Sequence, residues 1–236
     1  MWNNGFDLAT THWLNQFASD SVKFNHLAYY VSDVNLFKGL PMMAMLWFFW
    51  FRRTDGKSDF RPTILATLLG CFIALALARV LNKYLPFEPR PFANAALGLR
   101  PLAGLAHPEQ QNLYHWNSFP SDHAALYFGL ATGMLAISRS IGAVVFLYVL
   151  GFIAMPRIYL GLHYPTDILG GAFLGIGSVA LCVQHRIVTP LGQPCMRLLD
   201  RYPAAFQTAL FALTFELAVM FEDVRPLIKA VIKRLM

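Results

Sequence analysis

Six apolar runs divide the chain, at about 39–51, 63–81, 124–137, 141–155, 168–183 and 204–221, each bounded by charged, proline-bearing or amide-bearing segments. None shows the period-2 alternation of a half-buried strand, and each is apolar on every side, as a helix buried in protein or lipid must be. Several are shorter than the roughly 20 residues that cross a hydrocarbon core, so they are expected to extend into their flanks. The pattern predicts an all-α protein, an integral membrane helical bundle of six transmembrane helices. Within the fifth run, Gly171 and Gly175 form a small-xxx-small pair with Gly170 and Gly177 beside it, which lets a neighbouring backbone approach closely and makes that helix central.

The two ends read differently. The segment 1–36 carries Trp2, Phe6, Trp13, Leu14 and Phe17 among polar residues, the pattern of an interfacial rather than a spanning helix. The tail 222–236 sets Arg225, Lys229, Lys233 and Arg234 among Leu227, Val231 and Leu235, a basic amphipathic helix suited to an anionic lipid surface. Composition agrees with a membrane class: 56% of residues are hydrophobic and 14% charged, with a mean hydropathy of +0.46, too apolar for an ordinary soluble protein. A single domain over 1–236 is expected, with its core in 63–183. The start lacks the basic and apolar regions of a cleaved signal, so insertion falls to the spanning helices. Cys71, Cys182 and Cys195 form no metal-type or redox pair.

Lys and Arg bias sets the orientation. Arg52, Arg53, Lys57 and Arg61 follow the first run, Arg139 the third, and Arg186, Arg197 and Arg201 the fifth, which puts those loops in the cytoplasm. The loops after runs two and four and both termini then face outward, and only the basic tail disagrees. Two intramembrane charges stand out, Arg79 and Glu216; Glu216 reads as structural.

The distinctive polar residues all fall in loops that an even number of spans places on one side. Lys83 and Arg90-Pro91 follow run two, Pro120-Ser121-Asp122-His123 precede run three, and Arg157, His163 and Asp167 follow run four. Two arginines and a lysine supply forks and a point charge for phosphoryl oxygens. Pro86 and Pro89 break the helix between Lys83 and Arg90, so an extended segment can turn both cations to one point. Pro120 suits the first turn of the third helix, leaving the backbone N–H groups of Ser121 and Asp122 at an anion-binding terminus. Two histidines complete the set, as nucleophile and proton donor. Asp167, four residues after His163 with Pro165 opening a helix between them, can fix one tautomer of His163, which makes His163 the expected nucleophile. His123 has beside it only Asp122, whose side chain is expected to diverge on a helix, and it fits the general acid.

Taken singly, each residue has a plainer reading: Lys83 as a snorkelling flank, Arg90 and Arg157 as interfacial anchors, Ser121 and Asp122 as first-turn polar residues. A metal held by the histidines and Asp167 would be repelled by the three cations, so no metal and no cofactor are expected. His12, His26, His107, His115 and His185 carry no assignment. The segment 84–119 is long for a connector and reads as a lid, lined by His115 and Trp116.

In spacing and order, Lys83-x6-Arg90-Pro91, Pro120-Ser121-x-His123 and Arg157-x5-His163-x3-Asp167 resemble the three motifs of the type-2 phosphatidic acid phosphatase superfamily. That resemblance implies a phosphohistidine intermediate at His163, acid catalysis by His123, and phosphate binding by Lys83, Arg90, Ser121 and Arg157. The chain departs from the pattern at Asp122, where the family has Gly, and at Pro156, where it has Ser. Phe119-Pro120-Ser121-Asp122-His123 is similar to the form in bacterial undecaprenyl-diphosphate phosphatases of the bacitracin-resistance type. Two helices before the first motif also look like the glucose-6-phosphatase branch.

The expected function is therefore metal-independent hydrolysis of a lipid phosphate or diphosphate, undecaprenyl diphosphate first. Phosphatidate, phosphatidylglycerophosphate, lipid A phosphate and sugar phosphates are the alternatives, besides phosphotransfer to an acceptor other than water. A vanadate haloperoxidase shares the anion-site residues, but the apolar runs count against it; a non-catalytic lipid-binding or transport protein is the reading from a different class. The expected partners are the lipid substrate and membrane lipids, with no nucleic acid. The expected place is a bacterial inner membrane with the site facing the periplasm or outside.

Overall fold

A computed structural model describes residues 5–17, 20–52, 59–105, 113–222 and 224. The basic amphipathic tail expected at 222–236, together with Trp2, Arg53, Lys57 and His107, lies outside the described residues apart from Glu222 and Val224. Among the described residues the chain is helical, with no strand.

The helices are α1 (Gly5–Gln16), α2 (Val22–Asp33), α3 (Asn35–Phe51) and α4 (Arg61–Tyr84), then α5 (Asp122–Ile137), α6 (Arg139–Tyr159), α7 (Pro165–Cys182), α8 (His185–Arg201) and α9 (Pro203–Ala218). Among the described residues four stretches are long and apolar enough to cross a membrane: Val22–Phe51, Arg61–Tyr84, Arg139–Tyr159 and Pro165–Cys182. Runs three and six became α5 and α9, each of 16 residues. At 1.5 Å per residue that is about 24 Å of helix, short of the roughly 30 Å hydrocarbon core.

α4, α5 and α7 form the centre. A Cβ on Gly171 would lie 2.2 Å from the Ser121 carbonyl oxygen, and one on Gly175 2.1 Å from that of Ala125. The small-residue pair therefore does what the sequence suggested, seating α7 directly on the backbone of α5. Cys71, Leu126, Leu130 and Val179 fill the space between the three helices and are fully or almost fully buried. Two threonine hydroxyls of this centre are satisfied within their own helices, Thr67 on the Thr63 carbonyl (2.7 Å) and Thr132 on that of Phe128 (2.8 Å).

The N-terminal third departs from the expectation of an interfacial segment ending at 36. α2 runs on into α3 through Val34, whose N–H still bonds the Tyr30 carbonyl, so the first apolar run continues back to Val22. α1 is tied to the core. Its buried Asp7 accepts from the Thr166 N–H at 3.0 Å and from the Thr166 hydroxyl, at the first turn of α7. Asn15 and Asn25 fasten the loop before α5 through Arg100 and the Ala103 carbonyl. These bonds depend on tertiary neighbours, which amphipathic patterning cannot report. α8 is likewise a helix that the apolar runs did not announce; its Arg186, Arg197 and Arg201 are exposed.

α6 is not uniform. Val149–Ala154 is a π-helical turn, in which the Met155 N–H bonds the Leu150 carbonyl five residues back. Pro156 follows at once. It has no N–H, and its ring excludes the carbonyl four residues earlier, so the widened turn accommodates a residue that an unbroken α-helix would not.

Candidate active site

The residues singled out in the sequence converge at the ends of α4, α5 and α7. Gly161, at φ +67°, turns the chain after α6, and its carbonyl accepts the Phe92 N–H at 3.0 Å. That bond docks the Arg90-Pro91 segment beside His163. Asn117 gathers the same loops: its amide donates to the Asn82 and Pro86 carbonyls (3.2 Å each) and its oxygen accepts the Glu88 N–H at 3.0 Å. Asn82 returns a bond to the Asn117 carbonyl at 2.8 Å.

His163 is buried. Its Nδ1 lies 3.0 Å from the Ser118 carbonyl oxygen and 3.5 Å from Asp167 Oδ2. Both neighbours are acceptors, so Nδ1 carries the proton and Nε2 keeps its lone pair. Arg90 Nη1 reaches that Nε2 at 3.2 Å while also donating to the Leu162 carbonyl at 2.8 Å. Burial, and then the Arg90 charge, push His163 below its ordinary value, which keeps it neutral. Burial pulls Arg90 down to about 10, so its guanidinium remains charged at neutral pH. Burial and the charge of Asp167 push Glu88 up to about 7.

Asp167 supports this arrangement less directly than its spacing suggested. Its Oδ2 accepts the Ser118 hydroxyl at 2.5 Å and the Tyr164 N–H at 2.7 Å, capping α7. The carbonyl of Ser118, a residue that sequence reasoning did not single out, stands closer to His163 than the carboxylate does.

His123 differs from expectation in one respect. Asp122 does not diverge: its Oδ1 lies 2.8 Å from His123 Nδ1 and also accepts the His123 N–H at 2.8 Å, while its Oδ2 pairs with Arg79 Nη2 at 2.7 Å. At the first position of the helix, the Asp side chain folds back over the terminus instead of following the helical spiral. Nε2 of His123 is buried with no partner among the described residues.

The anion terminus is also built differently. Pro120 precedes the N-cap Ser121, outside the helix, and the Ser121 N–H is taken by the Asp167 carbonyl at 3.1 Å. The Ser121 hydroxyl accepts the Ala124 N–H at 3.3 Å. Lys83 is exposed, its Nζ 5.3 Å from the centre of the Tyr84 ring.

A cavity of about 220 Å³ collects the rest. Arg90, Asp122, His123, Arg157 and His163 line it together with Trp116 and Leu113 of the long loop. Trp116 therefore reaches the site as expected of a lid residue, whereas His115 is exposed and does not line the cavity. The opposite wall comes from α2 and α3: Tyr29, Ser32, Asp33 and Lys38, with Glu222 beyond α9. A smaller space of about 20 Å³ adjoins His163 and Arg90 and is lined by Arg79, Asn82 and Pro120. Neither Lys83 nor Ser121 lines either space.

A neutral imidazole with an accessible lone pair, a second imidazole oriented by a carboxylate and two buried guanidiniums together form a site for attack on a phosphoryl group. The sequence model of the family described as the PAP2 superfamily matches residues 63–187. Undecaprenyl-diphosphatase BcrC of Bacillus subtilis (strain 168) is 39% identical over 93 residues, 38% of this chain and 41% of that protein. The lipid A 4'-phosphatase of Bacteroides thetaiotaomicron is 36% identical over 91 residues, 33% of this chain and 40% of that protein. The chain thus spans about two fifths of the length of either relative. The crystal structure of Aquifex aeolicus LpxE is 29% identical, aligns over 77% of this chain and 96% of that one, and has a TM-score of 0.49.

Proposed function

The chain belongs to the PAP2 superfamily, and on that premise we propose that it is a membrane phosphatase hydrolysing a lipid phosphate or diphosphate through a phosphohistidine at His163. The single observation that carries this reading is the environment of His163, with Nδ1 between two acceptors and Nε2 facing Arg90. In the first step Nε2 attacks phosphorus, the bond from phosphorus to the leaving oxygen breaks, and that oxygen takes a proton from His123 Nε2. In the second step His123 accepts a proton from water as the water oxygen attacks the phosphohistidine. The P–N bond breaks and inorganic phosphate leaves. Arg90 and Arg157 neutralise the equatorial oxygens throughout. Asp122 holds the His123 ring through Nδ1, and the negative charge of the bound substrate favours a proton on its Nε2.

A polyprenyl diphosphate, undecaprenyl diphosphate above all, is the favoured substrate, supported by the Phe119–His123 sequence and by the likeness to a relative named undecaprenyl-diphosphatase. The likeness to a lipid A 4'-phosphatase favours a lipid A phosphate as the second reading. The four long apolar helices support an integral membrane protein, in which α5 and α9 complete six spans. Lys and Arg bias supports a bacterial inner membrane with the site on the outer side.

Detergent-purified protein in EDTA, offered undecaprenyl diphosphate, lipid A and a soluble sugar phosphate in parallel, tests the proposal. Phosphate release that survives the chelator and disappears in His163→Ala is the expected result. Release that requires a divalent metal, or that persists in the variant, would overturn the histidine mechanism.

A further inference from the structure

Sequence motifs supplied three cations for the phosphate, yet one of them, Lys83, lies outside the cavity. Another lysine lines it. Lys38, in the first turn of α3, is only 1% exposed and forms no hydrogen bond or ion pair among the described residues. An ammonium taken out of water without a partner is costly, so a fold that keeps one has a use for it. The lining carboxylates act on its charge from a distance without pairing with it: Asp33 and Glu222 are exposed, Asp33 accepts the Tyr29 hydroxyl at 3.3 Å, and Asp122 pairs with Arg79.

Lys38 has company. The Ser32 hydroxyl and Arg157 Nε are buried without partners among the described residues, and Arg157 is held in place by Nη2 donating to the Ser32 carbonyl at 3.1 Å. Ser32 and Arg157 are 2% and 6% exposed. Three unspent donor groups, two of them cationic, thus line the larger cavity and not the smaller space, whereas His163 and Arg90 line both.

We infer that Ser32 and Lys38, beside the Arg157 guanidinium that serves the transferred group, form a second anion subsite, which holds the phosphoryl group that is not transferred when the substrate is a lipid diphosphate. The inference rests on the phosphatase reading and deepens it. When His163 takes the terminal phosphoryl group, the bond from that phosphorus to the bridging oxygen breaks. The electron pair stays on the bridging oxygen, so the departing lipid monophosphate gains negative charge as His123 supplies a proton. Lys38 faces that developing charge. The subsite therefore stabilises the leaving group of a diphosphate, which a monophosphate substrate does not possess.

Farnesyl diphosphate and farnesyl monophosphate share a tail and differ by one phosphoryl group, so they isolate the effect. Lys38→Met is expected to lower kcat/KM for the diphosphate about 100-fold while changing the monophosphate less than about threefold, and Lys38→Arg to restore most of the loss. Thermal melting supplies a readout apart from turnover. Methylenediphosphonate should raise the Tm of the wild type and not of Lys38→Met, orthophosphate should raise both, and the unliganded variant should melt no lower than the wild type. Equal losses on both substrates, or none on either, would overturn the subsite. Wild-type protein that releases phosphate from neither would instead overturn the phosphatase reading. If Lys38→Met does not fold, Ser32→Ala must show the same preference for damage to the diphosphate reaction, and its failure to do so counts equally against the subsite.

Discussion

His163 and His123 line one cavity but are held by opposite means. His163 is fixed by backbone and by burial: a carbonyl takes its Nδ1 proton, a guanidinium meets its Nε2, and its charge is suppressed. His123 is fixed by a carboxylate, itself anchored by Arg79, and its Nε2 has no partner among the described residues. The carbonyl, nearer to His163 Nδ1 than the Asp167 carboxylate is, sets the tautomer of a ring whose charge burial and Arg90 suppress, which suits a nucleophile that must arrive neutral. A carboxylate on Nδ1 fixes the ring of His123 and leaves its Nε2 without a partner among the described residues, which suits the proposed donor of protons. One residue type thus fills two roles because the partner on the far side of each ring differs.

The largest effect should follow from breaking the first of these environments. His163→Ala should lower phosphate release by at least about 10⁴-fold with every leaving group, and protein quenched in alkali, where a phosphohistidine survives, should carry phosphate in the wild type and none in the variant. His123→Ala should be more selective. Loss of a positioned acid costs about 10²–10⁴-fold, so lipid phosphate hydrolysis should fall by that much. p-Nitrophenyl phosphate, whose leaving group needs no proton, should still form the phosphoenzyme in a burst. Asp122→Asn keeps the geometry but removes the charge shared by His123 and Arg79, and a loss of about tenfold in lipid phosphate hydrolysis is expected.

The smallest effect concerns stability. A histidine whose folded value lies below its unfolded value of about 6.5 binds its proton more readily when unfolded. Its contribution to stability is therefore intact above that value and is lost as pH falls. Wild-type protein should lose more thermal stability between pH 6.5 and 5 than His163→Gln, and parallel melting curves for the two would remove burial of the neutral ring from the explanation.

The motifs of the sequence already contained both histidines, Arg90 and Arg157, because their chemistry depends on residue type and spacing. Gly171 and Gly175 announced the α5–α7 contact for the same reason: only the lack of a side chain permits it. The partners were harder to see. Ser118 acts through its carbonyl, which every residue has, and Arg79 reads as an intramembrane charge until Asp122 is seen across from it. Lys38 and Ser32 come from helices far from the motifs in the chain, and the shape of the fold alone brings them to the cavity. Asp122 was misread because a helical direction was assumed for a side chain that sits at the terminus and curls back.

The π turn at Val149–Ala154 sets the angular phase of everything after it in α6. An extra residue in a turn advances the following side chains by about 100° relative to a regular helix. Arg157 lies three residues beyond, so its heading into the cavity is counted out by the length of a segment that never approaches substrate. Removing a single residue from 149–154 would leave the guanidinium chemically untouched and turn it toward another neighbour. In this helix the heading of the guanidinium is specified by arithmetic as well as by identity.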